Sequence, residues 1–278
     1  MMFSSANSIN WGRLLPQIVY YISAYCDMVN AGKVALGEKI NITVPTGNFG
    51  NILAGYYAYE MGLPVKRFIC ASNSNNVLTD FIRTGIYNKN RDFYTTVSPS
   101  MDILVSSNLE RLLFTMSGNN DVETKGYMDA LKSQGVYEVS DSIKEKITAM
   151  FWGGFADEDK TKATIHDLFE QQGYLCDTHT AVAVAVCDQY IKQTGDTTPV
   201  VIASTASPYK FSKAVLSALN KGELPESEFD MVDRLRELTE ADVPGPLASL
   251  KGKSPRFGDV TDKEEMQGVV LRALGIEA

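Results

Sequence analysis

Apolar and polar positions recur along this chain on two periods, and the periods divide it into elements. Between Ser8 and Asn30, Ile9, Leu14, Leu15, Ile18, Val19, Ile22 and Met28 fall at helical spacing, which predicts a long amphipathic helix with Pro16 near its first turn. "INITV" (Ile40–Val44) is a short β-rich run, and "ILAGYYAYEMG" after it reads as a helix stopped at Gly62. "PVKRFICAS" reads as the next strand; the polar turn "NSNN" then leads into a helix through Phe81 and Ile82. "TAVAVAVCDQYIKQTG" alternates like a strand, but its length and its end at Gly195 predict a helix. "PVVIAS" (Pro199–Ser204) is a continuous apolar run of the kind buried on both faces of a parallel sheet. Between the two halves, Ser98 to Phe155 reads as mostly helical and mixed.

Strands alternating with helices predict βαβ units, hence an α/β fold with a parallel sheet flanked by helices. Ligands in such sheets gather beyond the carboxyl ends of the strands. Two polar turns sit at such ends, "PTGNFGN" after "INITV" and "STASPYKF" after "PVVIAS", so both are expected on one rim. From Lys221 onward the chain turns charged, and residues 221–278 are expected to form an α-rich segment packed on a domain of residues 1–220.

Composition narrows the function classes. The 278 residues, 44% apolar and 22% charged, suit a soluble globular protein of one large or two ordinary domains. A net charge of −8 argues against nucleic acid as the main partner, since phosphate backbones select basic faces. No apolar run approaches the roughly 20 residues of a membrane span, and Met1–Asn10 lacks the pattern of a signal peptide. A cytoplasmic location is the resulting expectation. Cys26, Cys70, Cys176 and Cys187 are scattered without a C-x-x-C pair and read as free thiols; with His166 and His179 the only histidines, no metal site is expected.

The chemistry concentrates at the rim. In "TGNFGN", Gly47 and Gly50 can take positive φ and let backbone N–H groups approach a ligand. The helix after them adds free amides and a partial positive charge, which together make an anion cradle, most naturally for phosphate. The pattern is neither a Walker loop nor a dinucleotide fingerprint, and a capped helix start without ligand is the alternative. Thr205 can hydrogen-bond a heteroaromatic nitrogen without charging it, or simply cap a strand end. His179, in "DTHTAVA", reads as a helix cap or local hydrogen-bond partner, with general-base catalysis the alternative.

"SSANSINWGRLLPQIVYY", "PTGNFGNILAGYYAYEMGLPVKRF", "SPSMDILVSSNLERLLF", "DTHTAVA", "STASPYKF" and "VPGPLASLKGK" resemble successive blocks of threonine synthase, in family order, from Ser4 to Lys253. The resemblance implies a pyridoxal-phosphate enzyme of fold type II, the tryptophan synthase β type. It implies conversion of O-phosphohomoserine and water to threonine and phosphate. Carried over to this chain, it implies that Gly47, Asn48, Phe49 and Gly50 cradle the cofactor phosphate. Asn51 stands where relatives have Asn or Asp, and Thr205 would face the pyridine nitrogen. Ser5, Asn7, Ser8, Asn10 and Arg13 fall in a block expected near the substrate, with Arg13 as partner of its phosphate.

One departure from the family pattern qualifies this. The family's lysine, whose amine forms a Schiff base with the cofactor, sits in an F-K-D type motif upstream of the S-x-N-S-I-N block. Here that block begins at Ser5, and the chain contains no K-D pair. The resemblance therefore implies the C-terminal part of a threonine synthase, an incomplete sheet that would associate with the missing N-terminal segment, and no turnover by this chain alone. A lysine-less pseudoenzyme that binds a phosphorylated metabolite and a related serine or threonine dehydratase are the alternatives.

Overall fold

The computed structural model describes residues 7–220, 222–256 and 258–276. Residues 7–241 form one compact unit and the segment from Asp242 onward another. The larger unit is built on a parallel sheet of four strands, β1 (Ile40–Pro45), β2 (Val65–Ser72), β5 (Phe151–Phe155) and β6 (Val200–Ile202), in the order β5-β2-β1-β6. A small antiparallel pair, β3 (Ile86–Asn88) with β4 (Val136–Glu138), stands beside it. β1 is one of the two inner strands, and every one of its residues is buried.

The two-residue period of β2 allocates the two cores. Phe68 and Cys70 point into the larger cluster, together with Ile52 and Leu53 of the helix Gly50–Glu60, Phe81 of the helix Val77–Thr84 and Ile147 of the helix Asp141–Met150. Ile69 and Ala71 point the other way, onto Val182, Ala183 and Val186 of the helix Thr178–Thr194. That helix is the alternating valine–alanine run. Its alanines let it lie between the sheet and the helix Glu158–Gln172, and Gly195 ends it in the left-handed conformation.

Three expectations need correction. "PVVIAS" is not a strand buried on both faces: only Val200–Ile202 pair, and all three are partly exposed, because within the described residues β6 has a neighbour on one side only. The segment 98–155 supplies a strand of the main sheet, β5, that the reading as mostly helical did not resolve. Its sequence "FWGGF" hides the strand because Gly153 and Gly154 lower β-propensity. Both glycines are needed for packing: a Cβ on Gly153 would lie 3.0 Å from the Thr79 Cα, and one on Gly154 would lie 2.9 Å from Val186. Finally, the first helix begins at Trp11, capped by Asn10, and runs as Trp11–Leu14, a 3-10 turn at Leu15–Gln17 and Ile18–Asn30. Leu14, Ile18, Tyr21 and Tyr25 are buried, whereas Ile9, Leu15, Val19 and Ile22 are exposed, so half of the apolar pattern does not face the core.

Beyond β6 the unit continues through the helices Ser212–Leu219 and Glu228–Thr239, which pack on each other. In the second unit lie the short helix Gly245–Ala248, a 3-10 turn at Lys263–Glu265 and the helix Met266–Leu274. No helix among the described residues is long and apolar enough to cross a membrane.

Candidate functional site

β1 is followed by Thr46, whose N–H donates to Ala71 O at 2.8 Å and whose hydroxyl donates to Val44 O at 2.7 Å. The chain thus leaves the sheet in a fixed direction, and Gly47–Phe49 turn it into the helix Gly50–Glu60. The positive φ expected of the glycines falls on Phe49 instead, at 62°. Phe49 bears this because its ring is buried and meets Phe151 at 5.8 Å between centroids. The glycines answer a different need, close approach. A Cβ on Gly47 would stand 2.5 Å from Ser100 O and 3.2 Å from Met101 Cα, both backbone atoms; one on Gly50 would stand 3.4 Å from the Asn108 Nδ2.

The carbonyls of the turn are tied behind it. Ser106 Oγ donates to Gly47 O at 2.8 Å, and Asn108 donates to Asn48 O from its backbone N at 3.1 Å and from Nδ2 at 2.9 Å. These bonds fix the peptide planes of the turn, while the first amides of the helix Gly50–Glu60 have no acceptor within it. Asn51 is engaged differently. Its Oδ1 accepts from Tyr21 OH, and its Nδ2 donates to Gln17 Oε1 at 2.8 Å. Burial pushes the Tyr21 hydroxyl far above its ordinary pKa, so it serves only as a neutral donor.

Residues 46–52 form one wall of a cleft of about 780 Å³. Ala203, Ser204, Thr205 and Ala206, after β6, form another, so the two polar turns share one hollow as the strand pattern predicts. Thr205 is exposed and lies three residues past β6, not at its last paired position. Ser8 and Arg13 also line the cleft, Ser8 bonding Ser107 through their hydroxyls at 3.2 Å. Asn7 and Asn10 are not among its lining residues: Asn7 Oδ1 accepts from Ile9 N at 3.0 Å, and Asn10 Oδ1 from Gly12 N at 2.9 Å. Ser5 lies outside the described residues. The volume lies in the range of small-molecule sites.

Several site residues were not singled out by the sequence reading. Ser100 and Met101 close the cleft opposite Gly47, and Lys210 lines it, its Nζ 5.5 Å from the Phe211 ring. The loop carrying Ser100 is shaped by the Asp102 carboxylate, which accepts from Asn73 Nδ2 at 2.8 Å, Asn75 Nδ2 at 3.1 Å, Thr96 Oγ1 at 2.7 Å and Thr96 N at 2.8 Å. Asn108 is the hub on the other side, donating to Ser8 O at 3.2 Å as well as to Asn48 O. No spacing rule marks these residues; apart from Thr96, these partners of Asp102 and Asn108 lie 27 to 100 positions away in sequence.

His179 is buried, and both ring nitrogens are engaged. Nε2 accepts from Ser100 N at 3.2 Å and Nδ1 meets Asp177 Oδ1 at 3.2 Å, which assigns the proton to Nδ1. Burial works to raise the Asp177 pKa, but hydrogen bonds from His179 and Thr180 outweigh it and hold the carboxylate below its ordinary value. The neighbouring Cys176 is pushed up to about 12 by burial and by the Asp177 charge, so it remains a neutral thiol.

A family model described as "Threonine synthase, C-terminal" matches residues 180–270. Human threonine synthase-like 1 is 45% identical over 227 residues, 81% of this chain and 30% of that protein. The crystal structure of yeast threonine synthase superposes with a TM-score of 0.81 at 32% identity, covering 97% of this chain and 53% of its own. A PLP-bound threonine synthase from Brucella melitensis gives 0.73 at 38%, covering 83% and 48%. The chain thus spans about a third to a half of the length of the relatives it matches. The parallel sheet with helices on both faces is the α/β arrangement of pyridoxal-phosphate fold type II. In sequence, order of blocks and architecture, the chain belongs to the threonine synthase family.

Proposed function

We propose that the cleft holds pyridoxal phosphate as part of a threonine synthase site acting on O-phosphohomoserine. The observation that carries this reading is that the Gly47–Gly50 turn and Thr205 line one hollow of about 780 Å³. The residues present fit the cofactor. The turn admits no side chain at Gly47, its carbonyls are anchored on Ser106 and Asn108, and the first amides of the following helix point their partial positive charge at an anion. Each amide donated to a phosphate oxygen contributes a charge-assisted hydrogen bond of about 1.5–3 kcal/mol.

Within this reading Gly47, Asn48, Phe49 and Gly50 hold the phosphate, and Thr205 directs its hydroxyl to the pyridine nitrogen. The hydroxyl donates without protonating the ring, which a carboxylate there would do. Asn51 acts one step back, since its side chain joins the turn to Tyr21 and Gln17. Arg13 and Ser8, on the same cleft, face the substrate's phosphate. Bound pyridoxal phosphate supplies an electron-withdrawing ring, and the residues of this chain supply binding and orientation.

The chain has no lysine in the family's F-K-D context, so we expect it to bind cofactor without turnover by itself. Incubation with pyridoxal phosphate and O-phosphohomoserine, followed by assay of inorganic phosphate, is the test. Cofactor binding without phosphate release is the expected result. Steady release, abolished by Lys210→Met, would transfer the amine role to the lysine that lines the cleft and overturn the expectation.

A further inference from the structure

We propose that His179 is a positioning residue that fixes the width of the phosphate cradle through Ser100, and is not a proton-transfer group. The inference rests on the proposed cofactor reading for the identity of the ligand, but its geometry stands independently. A continuous chain of contacts runs from the N-terminus of the helix Thr178–Thr194 to the turn. Asp177 Oδ1 meets His179 Nδ1 at 3.2 Å and also accepts from the His179 backbone N at 2.8 Å. The carboxylate therefore holds the residue twice and leaves Nε2 without a proton. Nε2 accepts the Ser100 N–H at 3.2 Å. The Ser100 carbonyl in turn lies where a Cβ on Gly47 would be only 2.5 Å away. Ser100 is thus held at its N–H by the imidazole, and its carbonyl, on the next peptide plane, abuts the first glycine of the cradle.

A general base needs an unoccupied lone pair within reach of the proton it takes. Here the one lone pair is spent on a backbone amide, and the ring is held against Phe211 at 4.8 Å between centroids. The Asp102 network fixes the far end of the same loop, so Ser100 is located from two sides. Losing the Nε2 bond would free the middle of the loop while leaving its end tied. The cradle would then widen at Gly47, whose missing side chain lets the backbone of Ser100 and Met101 set the gap on that side of the residue.

His179→Gln and His179→Asn separate the two nitrogens. Glutamine can place its amide oxygen near the Nε2 position and still accept from Ser100; asparagine can reach only the Nδ1 position and its partner Asp177. Both lose the contact with Phe211 equally, and both are polar and small enough to keep the fold. Two readouts are used on the purified chain: amide hydrogen exchange of peptides covering residues 46–53 and 98–103 without ligand, and the dissociation constant for pyridoxal phosphate. Expected for His179→Asn are exchange about 10-fold faster in both peptides and affinity about 10-fold weaker, while His179→Gln stays within about 3-fold of wild type in both. Equal behaviour of the two variants, or faster exchange confined to residues 98–103, would overturn the proposal. If the wild type binds no pyridoxal phosphate, the cofactor reading fails, and the exchange data alone still decide whether His179 positions the turn.

Discussion

Replacing Gly47 by alanine is the smallest change that tests how the cradle is made. Gly47 has no positive φ, so alanine brings no backbone strain, and its effect is steric alone. The new methyl meets Ser100 O at 2.5 Å, and ordinary contact begins at 3.4 Å, so turn and loop must part by about 0.9 Å. Neither partner is a side chain that could rotate away. The loop is held by His179 at Ser100 and by four bonds to Asp102; the turn is held by Ser106 and Asn108. Overpacking of this kind costs about 1–3 kcal/mol. A displacement approaching 1 Å also misaligns amides that need heavy-atom distances near 2.9 Å. We therefore expect pyridoxal phosphate to bind about 10- to 100-fold more weakly, or about 1.4–2.8 kcal/mol, with a modest fall in melting temperature. Spectroscopic titration with a thermal melt on the same sample measures both. Affinity within threefold of wild type and an unchanged melt would show that Ser100 does not confine the turn.

Other consequences are separable. Thr205→Val keeps the shape of the side chain and removes its hydroxyl, so the spectrum of bound cofactor should shift; an identical spectrum removes Thr205 from the ring nitrogen. At the opposite end of the sheet Asp196 accepts from Asn41 Nδ2, Lys66 Nζ, Tyr190 OH and Thr198, and these bonds outweigh desolvation to hold its pKa far below the ordinary carboxylate value. Asp196→Ala strands the buried Asn41 amide and should cost about 2–3 kcal/mol, read as a melting shift of about 4–12 °C. Asp196 and Asp177 both have lowered folded-state pKa values, so their stabilisation is present above the unfolded carboxylate pKa of about 3.9 and is lost as pH falls through the folded values. Urea midpoints should accordingly be flat with respect to these two groups above about pH 5 and fall below about pH 4, with a shallower acid fall in Asp177→Asn.

What the sequence disclosed depended on how local the cause was. β1, β2 and the helix after each were legible because their period and their stop signals lie within a few residues. The shared rim followed from strand direction alone. β5 was hidden because Gly153 and Gly154 serve helices on two faces, a requirement set by Thr79 and Val186 far along the chain. The turn was recognised, but the part played by its glycines was misread. Positive φ is a local property that a sequence suggests directly, whereas the contact with Ser100 exists only in the folded molecule. Asn51, Asn7 and Asn10 show the same limit: each carries a plausible ligand-binding amide, and each has a local or cross-helix partner for it.

The central claim is that the turn after β1 recognises a phosphate carried on a pyridine ring. It is tested most directly by comparing the affinity of the purified chain for pyridoxal 5'-phosphate and for pyridoxal, which differ only in that group. Two or three charge-assisted amide bonds make the phosphate worth about 100-fold or more, so pyridoxal phosphate should bind at least that much more tightly, and inorganic phosphate should compete with it. Equal affinities for the two compounds would contradict the claim.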